Sequence, residues 1–294
     1  MRAATTLILA LAASAGTAPP AAAALASPRA RREAPAAVTA ARLTSAAATD
    51  ACLAHLSSGH APLLVAAGAS FTAGVGSSVR AAWSVDLARR LGWRALVVGV
   101  PGMGYVRRGE HLLGPVGALL ATLPLARLRP ALVILQLGHD DIGAPLPLLR
   151  TRVRAVVSGV RSELPHAELA AITVFFRGSA PGPAARATNR AIVQTIRSSA
   201  PNAIVLDPLR QNWHFARARH GGLHPSAVGA REIAQRVEAS LLAHGLHPYR
   251  ATRASALLVP GTEPVCSLVA GGLAHVPARA PRDGANAARR ASAR

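Results

Sequence analysis

Five short apolar runs punctuate the middle of this 294-residue chain, at 62–67, 95–100, 131–137, 168–176 and 203–207. They are rich in β-branched residues, and their starts lie 33, 36, 37 and 35 residues apart, the length of a strand–helix unit. The segments between them carry another period. Leu149, Val153, Val156, Val160 and Leu164 recur at three or four residues, the stripe of an amphipathic helix. Ile233, Val237 and Leu241 repeat it in a last helix, with Ser226 placed as its N-cap. Residues 82–91 and 187–198 are further helix candidates. Continuous apolar strands alternating with helices imply a parallel sheet covered on both faces. The expected fold is α/β: a flavodoxin-like, three-layer α/β/α sandwich with a five-stranded parallel sheet, spanning residues 43–250.

The ends of the chain lack this cadence. Residues 1–26 read as a signal peptide, with Arg2, the apolar stretch TTLILALAAS and several A-x-A cleavage choices at 21–26. That stretch is too short to span a bilayer. Residues 27–42 form a disordered linker of Pro, Ala and Arg, and 251–294 a largely disordered C-terminal extension with a basic tail from Pro277. A secreted or envelope-associated protein follows as the expectation. Only two cysteines occur, Cys52 and Cys266. In an oxidising compartment they could staple the start of the domain to its extension; two unpaired thiols are the alternative.

Charge changes the picture less than its size suggests. The formal net charge is +20, yet all 33 basic residues are arginine and they are scattered, apart from Arg29, Arg31 and Arg32 and the pair Arg289–Arg290. No basic patch is interleaved with aromatics, which make up only 3% of the chain. A nucleic-acid partner is therefore not expected; electrostatic contact with an anionic cell envelope accounts for the charge more simply. The chain is expected to be a monomer.

In open parallel sheets, ligands bind beyond the carboxyl ends of the strands. Ser70 follows the first run, in LLVAAGASFTAGVG. The glycine-rich turn Gly99-Val100-Pro101-Gly102-Met103-Gly104-Tyr105 follows the second, and Gly138-His139-Asp140-Asp141 the third. His220-Gly221-Gly222-Leu223-His224-Pro225 precedes the last helix. A hydroxyl, an imidazole and exposed amide donors on one edge are the parts of acyl transfer. Taken alone, Ser70 reads first as a turn hydroxyl, while Gly102 reads also as turn geometry and Asp140 with Asp141 as a helix cap. The G-x-S-x-G nucleophile elbow is excluded, because position 72 is threonine. His139 and His220 read as loop histidines, and no cluster of metal-ligand type is present, so no cofactor or metal is expected. Trp83 and Trp93 read as core. Trp213 is the candidate to line a pocket, and Phe175 or Phe176 to face the same cleft.

The blocks GASFTAG, GVPGMG, GHDD and LHPSAVGAREIA, in this order, resemble the four blocks of the SGNH (GDSL-type) hydrolases over residues 60–245. GVGSSVRAAWSVDLARRLGWRA and QLGHDDIG resemble a branch of secreted actinobacterial members. The resemblance implies a secreted serine esterase or lipase-like hydrolase that cleaves a small-molecule, glycan or lipid ester. It implies Ser70 as nucleophile, His224 as general base, and an oxyanion hole from the backbone N–H groups of Ser70 and Gly102 with Asp140 in the third place. Three departures stand out: Ala69 replaces the Asp of the first block, Asp140 replaces Asn, and Gly221 replaces the Asp three residues before the histidine. Asp140 could help an oxyanion only if protonated. Without an acid at 221, Asp207, Asp140 or a backbone carbonyl is left to support His224, and activity is expected to be weak or dyad-based. A catalytically decayed binding protein of the cell envelope is the rival reading.

Overall fold

Leu63–Gly68 forms strand β1, buried along its whole length. It pairs in parallel with β2 (Arg94–Gly99) on one side and β3 (Leu132–Gln136) on the other. Beyond β3 come β4 (Glu168–Ile172) and β5 (Ile204–Leu206), also parallel. The continuous apolar run of β1 has a simple cause. Leu63, Val65 and Ala67 point into one core, Leu64 and Ala66 into the other, so both faces of the strand are covered. In this computed structural model the described residues are 53–249, except 55, 111–113, 177–179, 220 and 221, together with 265–269 and 272–276. The expected signal peptide, 1–26, and linker, 27–42, lie wholly outside them, as does the chain up to 52.

Helices α1 (Trp83–Leu91) and α6 (Ala227–Ala243) cover one face of the sheet. The short α2 (Val116–Leu120) and α3 (Leu125–Leu128), with α4 (Leu146–Glu163) and α5 (Pro183–Ser199), cover the other. The stripe Leu149, Val153, Val156, Val160 is buried as its spacing requires. Ser226 caps α6, its Oγ accepting from the Gly229 amide at 3.2 Å. α1 ends on Gly92 in the left-handed conformation at φ 64°, where glycine carries no steric penalty. Trp83 and Trp93 are core residues, as expected.

The five parallel strands are the expected ones, each within a few residues of its apolar run. The sheet does not stop there. β6 (Val265–Val269) adds to β2 in parallel, and β7 (Gly272–Val276) folds back antiparallel on β6, giving the order β5-β4-β3-β1-β2-β6-β7. The expectation of a largely disordered extension is corrected here for these ten residues. Two apolar five-residue runs around a small-residue turn are a hairpin signal, and β2 offers them an open edge. Cys266, opposite Leu96 in the register, is fully buried and disulfide-bonded. The one other cysteine, Cys52, lies outside the described residues. Among the described residues no helix is long and apolar enough to cross a membrane.

Candidate active site

β1 ends at Gly68, where a side chain has no room. A Cβ at Gly68 would lie 2.2 Å from Thr72 Oγ1 and 2.7 Å from the Gln136 carbonyl oxygen. The chain turns back tightly after it, Ala69 N donating to Gln136 O and Ala73 N to Ala69 O. Gln136, at the end of β3, holds the turn through its side chain: Oε1 accepts from the Thr72 amide (3.2 Å) and hydroxyl (2.9 Å). The turn then passes over β2 so closely that a Cβ at Gly99 would lie 2.4 Å from Ala73 N. Small residues through this stretch are thus a packing requirement. Ser70 sits at its crest, 8% exposed.

His224 reaches the crest from a loop 154 residues further on, its Nε2 lying 3.0 Å from Ser70 Oγ. Three contacts set the path of that loop. Ala218 N donates to the His224 carbonyl (3.0 Å), inside a bridge between Arg217 and Pro225. Arg217 Nη1 donates to the carbonyls of Gly222 (2.7 Å) and Leu223 (3.1 Å), the two residues before the imidazole. Gly76, at φ 87°, presses against the loop where a Cβ would lie 2.8 Å from His224 Cβ and 2.7 Å from Pro225 O. A larger residue there would push the imidazole loop away from the serine loop.

Aromatics are rare in this chain, yet they gather under the pair. Phe71 stacks flat on Phe175 (centroids 4.2 Å, 4° between planes), and Phe215 meets both edge-on. The His224 ring tilts over Phe71 at 5.7 Å, and the Arg217 guanidinium lies 4.8 Å over Phe215. Phe175, expected with Phe176 to face the cleft, is instead 1% exposed and packed beneath Phe71. Trp213 does not line a pocket: it is 4% exposed, packs beside Phe175, and donates from Nε1 to Gln211 Oε1. Burial against this floor pushes the His224 pKa below the usual histidine value, and the charge of His139 pushes the same way. His139 itself donates from Nδ1 to the Phe175 carbonyl at 2.7 Å.

Gly102, at φ 73°, stands in the loop after β2. Among the described residues, neither its amide nor that of Ser70 has a hydrogen-bond acceptor. The loop is fastened by Asp141, which is fully buried. Its Oδ2 accepts from Tyr105 N (2.8 Å), and its Oδ1 from Val106 N (2.9 Å) and Arg107 N (3.2 Å). Gly104 makes this approach possible, since a Cβ on it would lie 2.3 Å from Asp141 Oδ1. Asp141 is thus a clasp between the loops after β2 and β3, and not the helix cap it resembles in sequence. Asp140 is half-buried, and its Oδ2 has no partner among the described residues. Its carboxyl pKa is raised, chiefly by burial and further by Asp141, against the lowering effects of His139, its own amide and Arg107.

The support expected for His224 is not found in the described residues. Asp207 faces elsewhere, accepting from Asn189 Nδ2 at 2.9 and 3.0 Å and from Arg210 N. Nδ1 of His224 has no partner among the described residues, and Gly221 and His220 lie outside them. A cavity of about 240 Å³ opens beside the imidazole, lined by Val75, Gly76, Ala218, Arg219, Gly222, Leu223 and His224. A larger open groove of about 590 Å³ along Phe215, Glu232 and Arg236 includes neither Ser70 nor His224. Among the described residues no group of three or more His, Cys, Asp or Glu could hold a metal ion.

Sequence reasoning brought forward Ser70, His224, Gly102 and Asp140, and the first two do meet. It missed the loop-holding roles of Gln136, Asp141 and Arg217. Asp141 read only as a helix cap, Gln136 stood unremarked in QLGHDDIG, and Arg217 is a loop residue with no motif of its own. An unusual glutamine at the end of an apolar run was the one available signal.

The model of the GDSL-like lipase/acylhydrolase family matches residues 66–232. No curated protein sequence matches the chain. Among solved structures, the chain is similar to a family two carbohydrate esterase from Clostridium thermocellum in complex with cellohexaose, at 15% identity and a TM-score of 0.50. That likeness covers 62% of this chain and 64% of the esterase, less than two thirds of its length. It is also similar to a carbohydrate esterase family 2 enzyme with a carbohydrate binding domain from Corynascus thermopiles (18% identity, TM-score 0.53, 64% of this chain and 68% of that one). A third likeness is to a Lactobacillus plantarum protein, at 18% identity and a TM-score of 0.50, covering 63% of this chain and 99% of that one. At such identities the structural likeness is one of fold.

Asp141 supplies a first prediction. Asp141→Ala leaves three amide donors without an acceptor and is expected to destabilise the protein by roughly 3 kcal/mol or more. The check is the denaturant midpoint, and an unchanged midpoint would mean that the amides find other partners.

Proposed function

This chain belongs to the GDSL-like lipase/acylhydrolase family, and from that membership and the geometry at Ser70 we propose that it is an exported serine esterase working through a Ser70–His224 dyad. The observation that carries the reading is the 3.0 Å contact between Ser70 Oγ and His224 Nε2. With the ring proton on Nδ1, Nε2 accepts the serine hydroxyl proton as Oγ attacks the ester carbonyl carbon. The carbonyl oxygen becomes an oxyanion, which accepts hydrogen bonds from the Ser70 and Gly102 amides. The intermediate collapses, the C–O bond to the alcohol breaks, and the imidazolium returns its proton to the leaving alkoxide. Water then hydrolyses the acyl-serine with His224 again as base. The lowered His224 pKa keeps the imidazole neutral, and so basic, into mildly acidic solution.

Export rests on the amino-terminal pattern and on the resemblance of the phrases at 74–95 and 136–143 to those of secreted actinobacterial members. Among the described residues the pocket of about 240 Å³ beside His224 is small, and a short acyl group is the first to test. Acetylated glycans are therefore the first substrates to try, and the carbohydrate esterases of similar fold point the same way. The rival reading, a binding protein whose site has decayed, draws on the unpartnered Nδ1 of His224, since nothing among the described residues selects the reactive tautomer. One assay separates them. The purified chain should hydrolyse p-nitrophenyl acetate faster than the palmitate, and Ser70→Ala should abolish the activity. Equal rates for wild type and Ser70→Ala would sink the enzyme reading.

Two further outcomes follow. Asp140→Asn replaces an acid that titrates with a neutral amide donor, so kcat at pH 8 should rise by on the order of 10². The gain should shrink at pH 5, where the raised pKa leaves more of the native carboxyl protonated. A gain independent of pH would remove the charge argument. Arg217→Met keeps the aliphatic stem but frees the Gly222 and Leu223 carbonyls. It should lower kcat by on the order of ten- to a hundredfold with KM changed less, and Arg217→Lys should recover part of it; loss confined to KM would contradict the role.

A further inference from the structure

The arginines are scattered along the sequence, but the fold sorts them. On the face of the sheet covered by α4 and α5, those two helices carry seven arginines and a single carboxylate, Glu163. On the opposite face, α1 and α6 carry four arginines and three carboxylates, Asp86, Glu232 and Glu238. One pair of helices is thus net +6 and the other net +1. The opposite face also neutralises its charge locally: Arg90 pairs with Glu238, and Asp86 lies in the field of Arg89, Arg90 and Arg231. Glu163 does not serve Arg150, Arg154 or the α5 arginines in this way, since its Oε1 accepts from the Ala126 amide.

Helix geometry gathers the excess into one field. Arg152, Val156, Gly159, Val160 and Glu163 of α4 line a cavity shared with α2 and α3, so that flank of α4 faces those short helices. Arg150, Arg154 and Arg161 lie on the other flank, at spacings of four and seven, and α4 packs against α5. Along α5, Arg186, Arg190 and Arg197 repeat the same spacing, and all three are exposed. Each row covers eleven residues, about 16 Å along its helix.

We propose that the α4–α5 face is a docking surface for an anionic phospholipid bilayer. Guanidinium groups bind phosphate oxygens through two parallel hydrogen bonds, and two helices packed against each other present them here. The exposed side chains of α4 and α5 include no aromatic residue, so the field has no platform on which nucleic-acid bases could stack. Docking through this face leaves the strand ends, where Ser70 lies, at the side of the contact and open to solvent. The surface is independent of the esterase reading.

The test compares two triple variants of equal charge. Arg150→Gln, Arg154→Gln and Arg190→Gln empty the field and break none of the hydrogen bonds described. Arg89→Gln, Arg231→Gln and Arg236→Gln remove the same charge from α1 and α6. Sedimentation with phosphatidylglycerol–phosphatidylcholine vesicles at low salt should show tight binding by wild type that fades as salt shortens the screening length. At about fivefold per arginine near an anionic surface, the α4–α5 triple should lose on the order of a hundredfold in affinity, and the control triple only a few-fold. Thermal melting of both triples checks that they fold. Equal losses, no vesicle binding by wild type at low salt, or a face-specific loss for a DNA oligonucleotide but not for vesicles would each overturn the proposal.

Discussion

The contact between Ser70 Oγ and His224 Nε2 joins side chains 154 residues apart, and it spans 3.0 Å. A contact of that kind survives only if both loops are held to within a fraction of an ångström, because proton transfer fails steeply with distance. The sheet brings the loops to one edge, but it does not aim them. Aiming is done by polar side chains acting on backbone. Gln136 takes the Thr72 amide and hydroxyl, Asp141 takes three amides of the loop after β2, and Arg217 takes two carbonyls ahead of His224. Each of these loops gains from its tie a rigidity that surface turns do not have by themselves.

Burial of the site has electrostatic consequences that point in a consistent direction. Removing water disfavours the charged form of every group, so the imidazole of His224 is held neutral to lower pH and the carboxyl of Asp140 is held protonated to higher pH. An imidazole needs to be neutral to act as a base. A carboxyl next to a developing oxyanion needs its proton. Burial thus favours the neutral form of both groups, and under His224 the burying surface is the aromatic floor built on Phe71. The floor does not choose which imidazole nitrogen carries the proton, and that choice is the weak point of a dyad without an acid behind it.

Much of the fold was legible because both faces of the sheet are covered, which turns strands into unbroken apolar runs, and because α4 and α6 are long enough to show a period. The short helices α2 and α3, at five and four residues, cannot display one. The hairpin β6–β7 was hidden in an extension whose composition is otherwise that of a tail. At the site, Ser70 and His224 were legible from their places after strand ends in recognisable blocks. Asp141 was visible but its job was not: its partners are amides 34 to 36 residues earlier, and backbone donors leave no mark in a sequence. Arg217 was hidden for the same reason, since carbonyl acceptors are present at every residue. The sorting of arginines between the two faces required knowing which helices share a side.

The most direct test of the account is the rate at which a fluorophosphonate modifies the protein, with the modified residue located by peptide mass spectrometry, in wild type and in His224→Ala. The account predicts that the label falls on Ser70 and that removing the imidazole slows labelling by orders of magnitude. Modification at another residue, or labelling of Ser70 at the same rate without His224, would contradict it.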